Sequence, residues 1–328
     1  MKRNFYFRPL RVAYSLMFAA LALGSANAQQ SFPSKPIQLV VTTAAGGAND
    51  LVARAVAERL SEALRQPVVV ENQPAGNGSI AAGNVARAAP DGHTLMIVVD
   101  STLTINPHLY KNISYDVFKD FTPISIVSRI EVVLAANPSV KASNVRELID
   151  LAKANPGKLN YASTGVGTQL HIGMELFKLM TKTDIVHVPY RSTTGAMADL
   201  MGGRIDVALT GISSAKAQME AGKLKIFATG SRRSPLLPDL LSMSEAGVPG
   251  YDVSSWFAML GPPQMPKEIV NRLSTELKKI AGDPRFVAAL TPQGMQIVMS
   301  SPEEMLSAMR NDSKKWGDVI KATGTTID

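Results

Sequence analysis

The chain has 328 residues, no cysteine, a formal charge of +7 and a mean hydropathy of +0.06. Without thiols there is no disulfide, no cysteine nucleophile and no cysteine-ligated metal, so stability must come from apolar cores. Lys2, Arg3, Arg8 and Arg11 supply four of the positive charges within residues 1–28, which leaves +3 on the rest. That balance says little about nucleic acid, and with no Lys/Arg cluster interleaved with aromatics no nucleic-acid partner is expected.

The N-terminus reads as an export signal. A basic n-region precedes apolar residues 12–23, and Ala26-Asn27-Ala28 is a small-residue cleavage site. The apolar run falls short of the about 20 residues that a bilayer span needs. An uncleaved anchor is the other reading, but no cysteine follows the run to carry a lipid. Cleavage after Ala28 releases a periplasmic or secreted protein of 300 residues, enough for two domains.

Residues 37–41, 68–71 and 94–99 read as strands, and residues 51–64 and 80–88 carry a helical period. Near-continuous apolar strands in a βαβαβ order predict a parallel sheet covered on both faces. Gln66-Pro67, Pro74-Ala75-Gly76 and Pro90-Asp91-Gly92 supply the turns. A second series begins with strand 132–136 and helix 145–154, opened by Ser143 or Asn144 and stopped by Asn155-Pro156-Gly157. Strands 159–162, 185–188, 206–209 and 224–228 alternate with helices 170–180, 195–201 and 215–221, again as a parallel sheet. Strand 253–260 ends at Gly261-Pro262-Pro263, and helices 266–281 and 302–323 close the chain. We expect crossings near residues 128–132 and 251–256, hence a two-lobed α/β protein with an interlobe cleft. Lobe 1 would hold residues 29–130 and 254–328, and lobe 2 residues 131–253.

Three turns carry candidate chemistry. Thr42-Thr43-Ala44-Ala45-Gly46-Gly47-Ala48-Asn49-Asp50 joins the first strand to the first helix. Free amides and the positive end of the helix dipole make an anion site there; the alternative is a helix capped by Asn49 or Asp50. Ser163-Thr164-Gly165-Val166-Gly167-Thr168 repeats that placement in the second series, with hydroxyls as added donors, or else is an N-cap with permissive glycines. Tyr190-Arg191-Ser192-Thr193 offers a guanidinium suited to a carboxylate; equally, Arg191 is a solvated surface cation.

Other motifs weigh less. Gly76-Asn77-Gly78-Ser79-Ile80-Ala81 fits G-x-G-x-x-A, but four residues separate it from Glu71, where a dinucleotide fingerprint turns tightly. Gly211-Ile212-Ser213-Ser214-Ala215 lacks the second glycine of a nucleophile elbow. His171 and Glu175 share an i, i+4 spacing, yet two ligands make no catalytic zinc site. His171 either faces the cleft or packs beside the second turn. No phosphate-binding loop, cofactor motif or metal set is present, so neither cofactor nor metal is expected.

Several segments together resemble the Bug-type periplasmic solute receptors, the binding components of tripartite tricarboxylate transporters. They are Phe32-Pro33-Ser34-Lys35-Pro36-Ile37, Gly46-Gly47-Ala48-Asn49-Asp50, Gln66-Pro67-Val68-Val69-Val70-Glu71-Asn72 and Ala88-Ala89-Pro90-Asp91-Gly92. Further on stand Ala154-Asn155-Pro156-Gly157-Lys158-Leu159-Asn160-Tyr161, His187-Val188-Pro189-Tyr190 and Glu245-Ala246-Gly247-Val248-Pro249-Gly250. The resemblance implies a Venus-flytrap, type II-like binding protein that is not an enzyme. It would act as a monomer and deliver a small carboxylate, such as a di- or tricarboxylate or an aromatic one, to membrane transporter subunits or a sensor ectodomain.

By the same resemblance, amides of Ala45, Gly46 and Gly47 would hold the ligand carboxylate, beside Asn49 and with Asp50 holding the turn. Asp100, Ser101 and Thr102 would line the same lobe. Ser163, Thr164, Gly165, Gly167, Thr168 and His171, with Tyr190, Arg191, Thr193, Thr210 and Gly211, would supply the other side. The chain departs from the family pattern at Ala44-Ala45, where relatives carry two prolines, and at Arg191-Ser192 and Thr210-Gly211. The alternative reading is an exported serine-dependent hydrolase using Ser213 or Ser163, with His171 as base.

Overall fold

The computed structural model describes residues 32–327, so the expected export signal over residues 1–28 lies outside the described residues. β1 (Ile37–Val41) leads into α1 (Ala48–Leu64), β2 (Val68–Asn72), α2 (Ser79–Ala86) and β3 (Thr94–Val99). On α1, Val52, Ala53, Val56, Ala57, Leu60 and Leu64 recur at helical spacing and are buried. The helix stops at Arg65, which turns left-handed at φ 55° just ahead of Pro67. Short helices α3 (Asp100–Thr104) and α4 (Asn106–Leu109) follow β3, and the nine-residue β4 (Thr122–Ile130) comes next.

A single residue, Glu131, separates β4 from β5 (Val132–Ala136). The second series runs α5 (Val145–Ala154), β6 (Asn160–Ser163), α6 (Gln169–Thr181), β7 (Val186–Pro189), α7 (Thr193–Met201), β8 (Val207–Gly211), α8 (Ile212–Glu220) and β9 (Lys225–Thr229). The chain then returns through β10 (Ser255–Gly261), α9 (Lys267–Ile280), α10 (Pro284–Leu290), β11 (Met295–Ile297) and α11 (Pro302–Thr323). Among the described residues no helix is long and apolar enough to cross a membrane.

Two sheets result, ordered β11-β4-β10-β3-β1-β2 and β7-β6-β8-β5-β9. Both are mixed, which corrects the expectation of mainly parallel sheets. β1, β2 and β3 are parallel, as are β6, β7 and β8, but β10 and β5 run antiparallel to both of their neighbours. The reason lies in where these strands start. The βα strands end at the edge where the chain crosses between sheets, whereas β5 and β10 begin at that edge and must run the other way.

The C-terminal helix joins the two cores. Met305 and Met309 of α11 sit with Trp256, Val98 and Phe121 of the first sheet's core. Trp316, Val319 and Ile320, further along the same helix, sit with Phe177, Tyr251 and Leu134 of the second. Ser301 and Glu304 form a reciprocal capping box at its start, with Pro302 in the first turn and Gly324 closing it in a left-handed conformation.

Candidate functional site

Strand direction brings the candidate turns to one edge of each sheet. Val99 at the end of β3 pairs with Phe257 near the start of β10, and Ile130 at the end of β4 pairs with Ser255. In the second sheet, Gly211 at the end of β8 pairs with Val132 at the start of β5. The turns after β1, β3, β6, β7 and β8 therefore all lie at the edge where the chain crosses.

In the first turn Ala45, Gly46 and Gly47 are exposed, while Asn49 and Asp50 behind them are buried. Gly46 takes φ +83°, a conformation that favours glycine. Gly47 is the N-cap of α1 and no side chain caps it, so neither Asn49 nor Asp50 fills that role. The amides opening α1 thus lack side-chain acceptors at the positive end of the helix.

Asp50 holds the turn from within. Its Oδ2 accepts the Gly46 amide and Arg54 Nε, each at 2.9 Å, and its Oδ1 accepts Asn72 Nδ2 at 2.9 Å. Asn72 also donates to the Thr43 carbonyl at 3.0 Å. Burial pushes the Asp50 carboxyl up, but the bonds from Arg54, Gly46 and Asn72 outweigh it and hold it below the usual range. The Gly46 amide is therefore spent on Asp50. Asn49 ties the turn to β3 by donating to the Ile97 carbonyl at 3.2 Å.

Gly78 sets how closely this region packs, and that is what the G-x-G-x-x-A run encodes. It lies at φ +81°, where an added Cβ would sit 2.7 Å from Thr42 Cβ and 2.8 Å from Thr102 Oγ1. Thr102 and Ser101 are buried, and Thr102 donates to the Asn77 carbonyl at 3.2 Å. Asn106 reinforces the same carbonyl at 3.0 Å. Thr102 thus packs with Gly78 and Thr42 behind the first turn, while the Ser101 amide bonds to Asp100.

The second turn rests on stacked rings. His171 and His187 stack with centroids 4.1 Å apart, and Tyr161 stacks on His187 at 4.8 Å. His171 Nδ1 accepts the Gly167 amide at 3.2 Å, which places the ring proton on Nε2. Burial, then the neighbouring His187, pushes His171 down to about 4, so it is neutral at ordinary pH. Thr168 caps α6, its hydroxyl accepting the His171 amide at 3.4 Å. Gly165 and Gly167 have φ of +131° and +78°, and Gly167 is packed against Leu109 and Ile327. The turn is thus both a helix cap and a glycine-dependent turn.

The serine-hydrolase reading finds no support here. Ser163 is buried and bonded through Oγ to His187 Nε2 at 2.7 Å, not to His171, and it also donates to the Gly165 carbonyl at 3.1 Å. Ser213 Oγ is buried without a partner, so it lacks a base. Among the described residues no group of His, Asp or Glu is arranged to hold a metal ion.

On the remaining side, Ser192 caps α7 by accepting the Gly195 amide at 3.2 Å. Tyr190 gives its hydroxyl to Asp199 at 2.6 Å, which Arg204 also pairs. Arg191 is exposed and makes no hydrogen bond or ion pair with the described residues. Ser163, Thr164, Thr193 and Thr210 converge on a cavity of about 10 Å³, room for a single water. Thr210 Oγ1 is buried there without a partner, beside half-buried Gly211. Sequence reasoning missed Arg54, one helical turn along α1 from Asp50, and Asn72, Gly78 and His187, which hold the turns from elements distant in the chain.

The profile of the tripartite tricarboxylate transporter family receptors matches residues 52–325. The chain belongs to that family. BugT of Bordetella pertussis is 30% identical, covering 97% of this chain and 98% of BugT. Among solved structures, R. palustris Rpa4515 with adipate shares 32% identity and a TM-score of 0.81, over 90% of this receptor and 100% of that chain. MatC (Rpa3494) from Rhodopseudomonas palustris with bound malate shares 29% at a TM-score of 0.77, over 88% and 100%. The receptor's two mixed sheets with flanking helices are those of periplasmic binding proteins.

Proposed function

We propose that this receptor captures a small carboxylate between the turn after β1 and the turns after β6, β7 and β8. It then presents the ligand to a tripartite tricarboxylate-type transporter or a sensor ectodomain. The observation that carries this reading is the first turn: exposed Ala45, Gly46 and Gly47 ahead of a helix that no side chain caps. An anionic oxygen placed there satisfies the opening amides of α1 and meets the positive end of its dipole. Solved relatives that hold adipate and malate support the same ligand class.

The two sides have different roles. Asp50, Asn72 and Arg54 fix the first turn, so the cost of ordering it is met before ligand arrives. Arg191, free of partners, takes a second carboxylate, while Thr164, Thr193, Thr210 and Gly211 supply hydroxyl and backbone donors or an ordered water. The lobes divide at residues 29–130 with 254–328 and at residues 131–253, and they close about the two crossings. Export, with cleavage after Ala28, places the receptor in the periplasm as a monomer.

Thermal-shift and calorimetric titration with adipate, malate, citrate, benzoate and aspartate test this reading. At about 100 times the dissociation constant a ligand adds roughly 2.7 kcal/mol of stability. Gly47→Asp, which puts a carboxylate where the ligand's belongs, is expected to abolish the shift. No shift with any of these carboxylates, or unchanged affinity in Gly47→Asp, would overturn it.

A further inference from the structure

The crossings line a second cavity, whose lining includes none of the candidate carboxylate residues. It measures about 280 Å³ and is lined by Arg129, Glu131, Ser231, Arg232, Asp252 and Gln296, among others. Arg129 and Gln296 lie in β4 and β11, Glu131 follows β4, Ser231 and Arg232 follow β9, and Asp252 precedes β10, whereas the carboxylate turns follow β1, β3, β6, β7 and β8. Its walls come from both sheets and from both crossings, since Arg129 and Glu131 flank the outward passage and Asp252 lies on the return.

The charges here are unusual in being unpaired. The side chains of Arg129 and Arg232 make no hydrogen bond or ion pair with the described residues, and the Glu131 and Asp252 carboxylates have no cation within ion-pair distance. The Asp252 carboxylate accepts only the Ser231 hydroxyl, at 2.5 Å. Two guanidinium groups and two carboxylates thus line one cavity without forming ion pairs with each other. A ligand bearing one charge of each sign satisfies both sets at once, its carboxylate on the guanidiniums and its ammonium on the carboxylates.

An adjoining cavity of about 460 Å³ shares Glu131, Arg232 and Gln296, and Leu236, Met295 and Ile297 give it apolar wall. Together the two spaces fall in the range of small-molecule sites, about 300–1,000 Å³. We propose that this hinge cavity is a second binding site, for a zwitterionic amino acid with an apolar side chain. The charged ends lie between Arg129, Arg232, Glu131 and Asp252, and the side chain lies against Leu236, Met295 and Ile297.

Calorimetric titration of the receptor with L-leucine, L-methionine and L-phenylalanine tests this, with isocaproate and isoamylamine as probes that each lack one charge. One of the amino acids is expected to bind the native protein, and at least about tenfold more weakly to Arg129→Gln or Arg232→Gln. Exposed Arg232 provides the variant whose folding is not at stake. Binding is expected to persist in Gly47→Asp, which blocks the carboxylate site. Absence of binding by all three amino acids overturns the proposal. So does equal binding of isocaproate or isoamylamine, and so does loss of binding in Gly47→Asp, which would assign it to the interlobe cleft.

Discussion

Ser255 donates its hydroxyl to Asp100 Oδ1 at 2.7 Å, joining the first residue of the returning strand to the first residue after β3. The Ser101 amide reaches the same oxygen at 2.9 Å, while Oδ2 is buried without a partner. Burial pushes this carboxyl up from 3.8 to about 7; Ser255 opposes the shift, and the charge of Asp312 adds to it. Between those two values the folded chain holds a proton that the unfolded chain has released. Stability therefore falls as pH rises through that window and levels off above about 7. Asp100→Asn keeps the acceptor for Ser255 and removes the charge. Denaturant titrations should show a flatter pH profile, with Asp100→Asn gaining on the order of 1–4 kcal/mol relative to wild type at about pH 8.

Asp50→Ala should loosen the first turn. It removes the acceptor for the Gly46 amide, for Arg54 and for Asn72 at one stroke. The loss is expected to cost about 1–3 kcal/mol of folding stability. Carboxylate affinity should fall further than that stability loss alone explains, because the amides are no longer preorganised. Chemical denaturation and calorimetry on the same variant separate the two effects.

Gly78→Ala tests the close approach behind that turn. Its methyl would stand 2.7 Å from Thr42 Cβ at φ +81°, so both steric overlap and backbone strain oppose it. We expect a loss of about 2 kcal/mol or more. Gly222→Ala is the control: its φ of +69° is also left-handed, but an added Cβ meets nothing within 4 Å. A Gly78→Ala protein as stable as the Gly222→Ala control would refute the packing role.

Arg191→Ala should leave the melting temperature of the free protein unchanged, since the exposed side chain makes no hydrogen bond or ion pair with the described residues. Affinity for adipate or malate should drop by about 1.5–3 kcal/mol, the range for a hydrogen bond to a charged group. Affinity for a monocarboxylate of similar length should change much less. Equal loss for both ligand types would move Arg191 out of the recognition of a second carboxylate.

The extent to which all this is legible in the sequence depends on how local the signal is. Helix 302–323 coincides with α11 because Ser301, Pro302, Glu304 and Gly324 all act within a turn of its ends. The βα order and the three turns are legible for the same reason. β4 is not, because Thr122–Ile130 contains Pro123 and two serines that look like loop residues. Ser125 makes its shorter bond to the Ser300 carbonyl, 175 positions away at 2.8 Å, and the register shifts between Met259 and Leu260 opposite Pro123. In the site the turn is local, whereas its supports Asn72 and Gly78 reach it through sheet pairing and close packing. No residue pattern along the chain announces such a partner.

The chain has two tryptophans, and α11 places one in each core: Trp256 against Met305 and Met309, and Trp316 on the helix itself beside Phe177. One rod of 22 residues thus supplies side chains to both hydrophobic interiors. Melting either interior strips apolar cover from that rod and weakens the other. The two halves should consequently denature as a single cooperative event. Fluorescence of single-tryptophan variants, Trp256→Phe and Trp316→Phe, should follow superimposable unfolding curves although each reports on a different sheet.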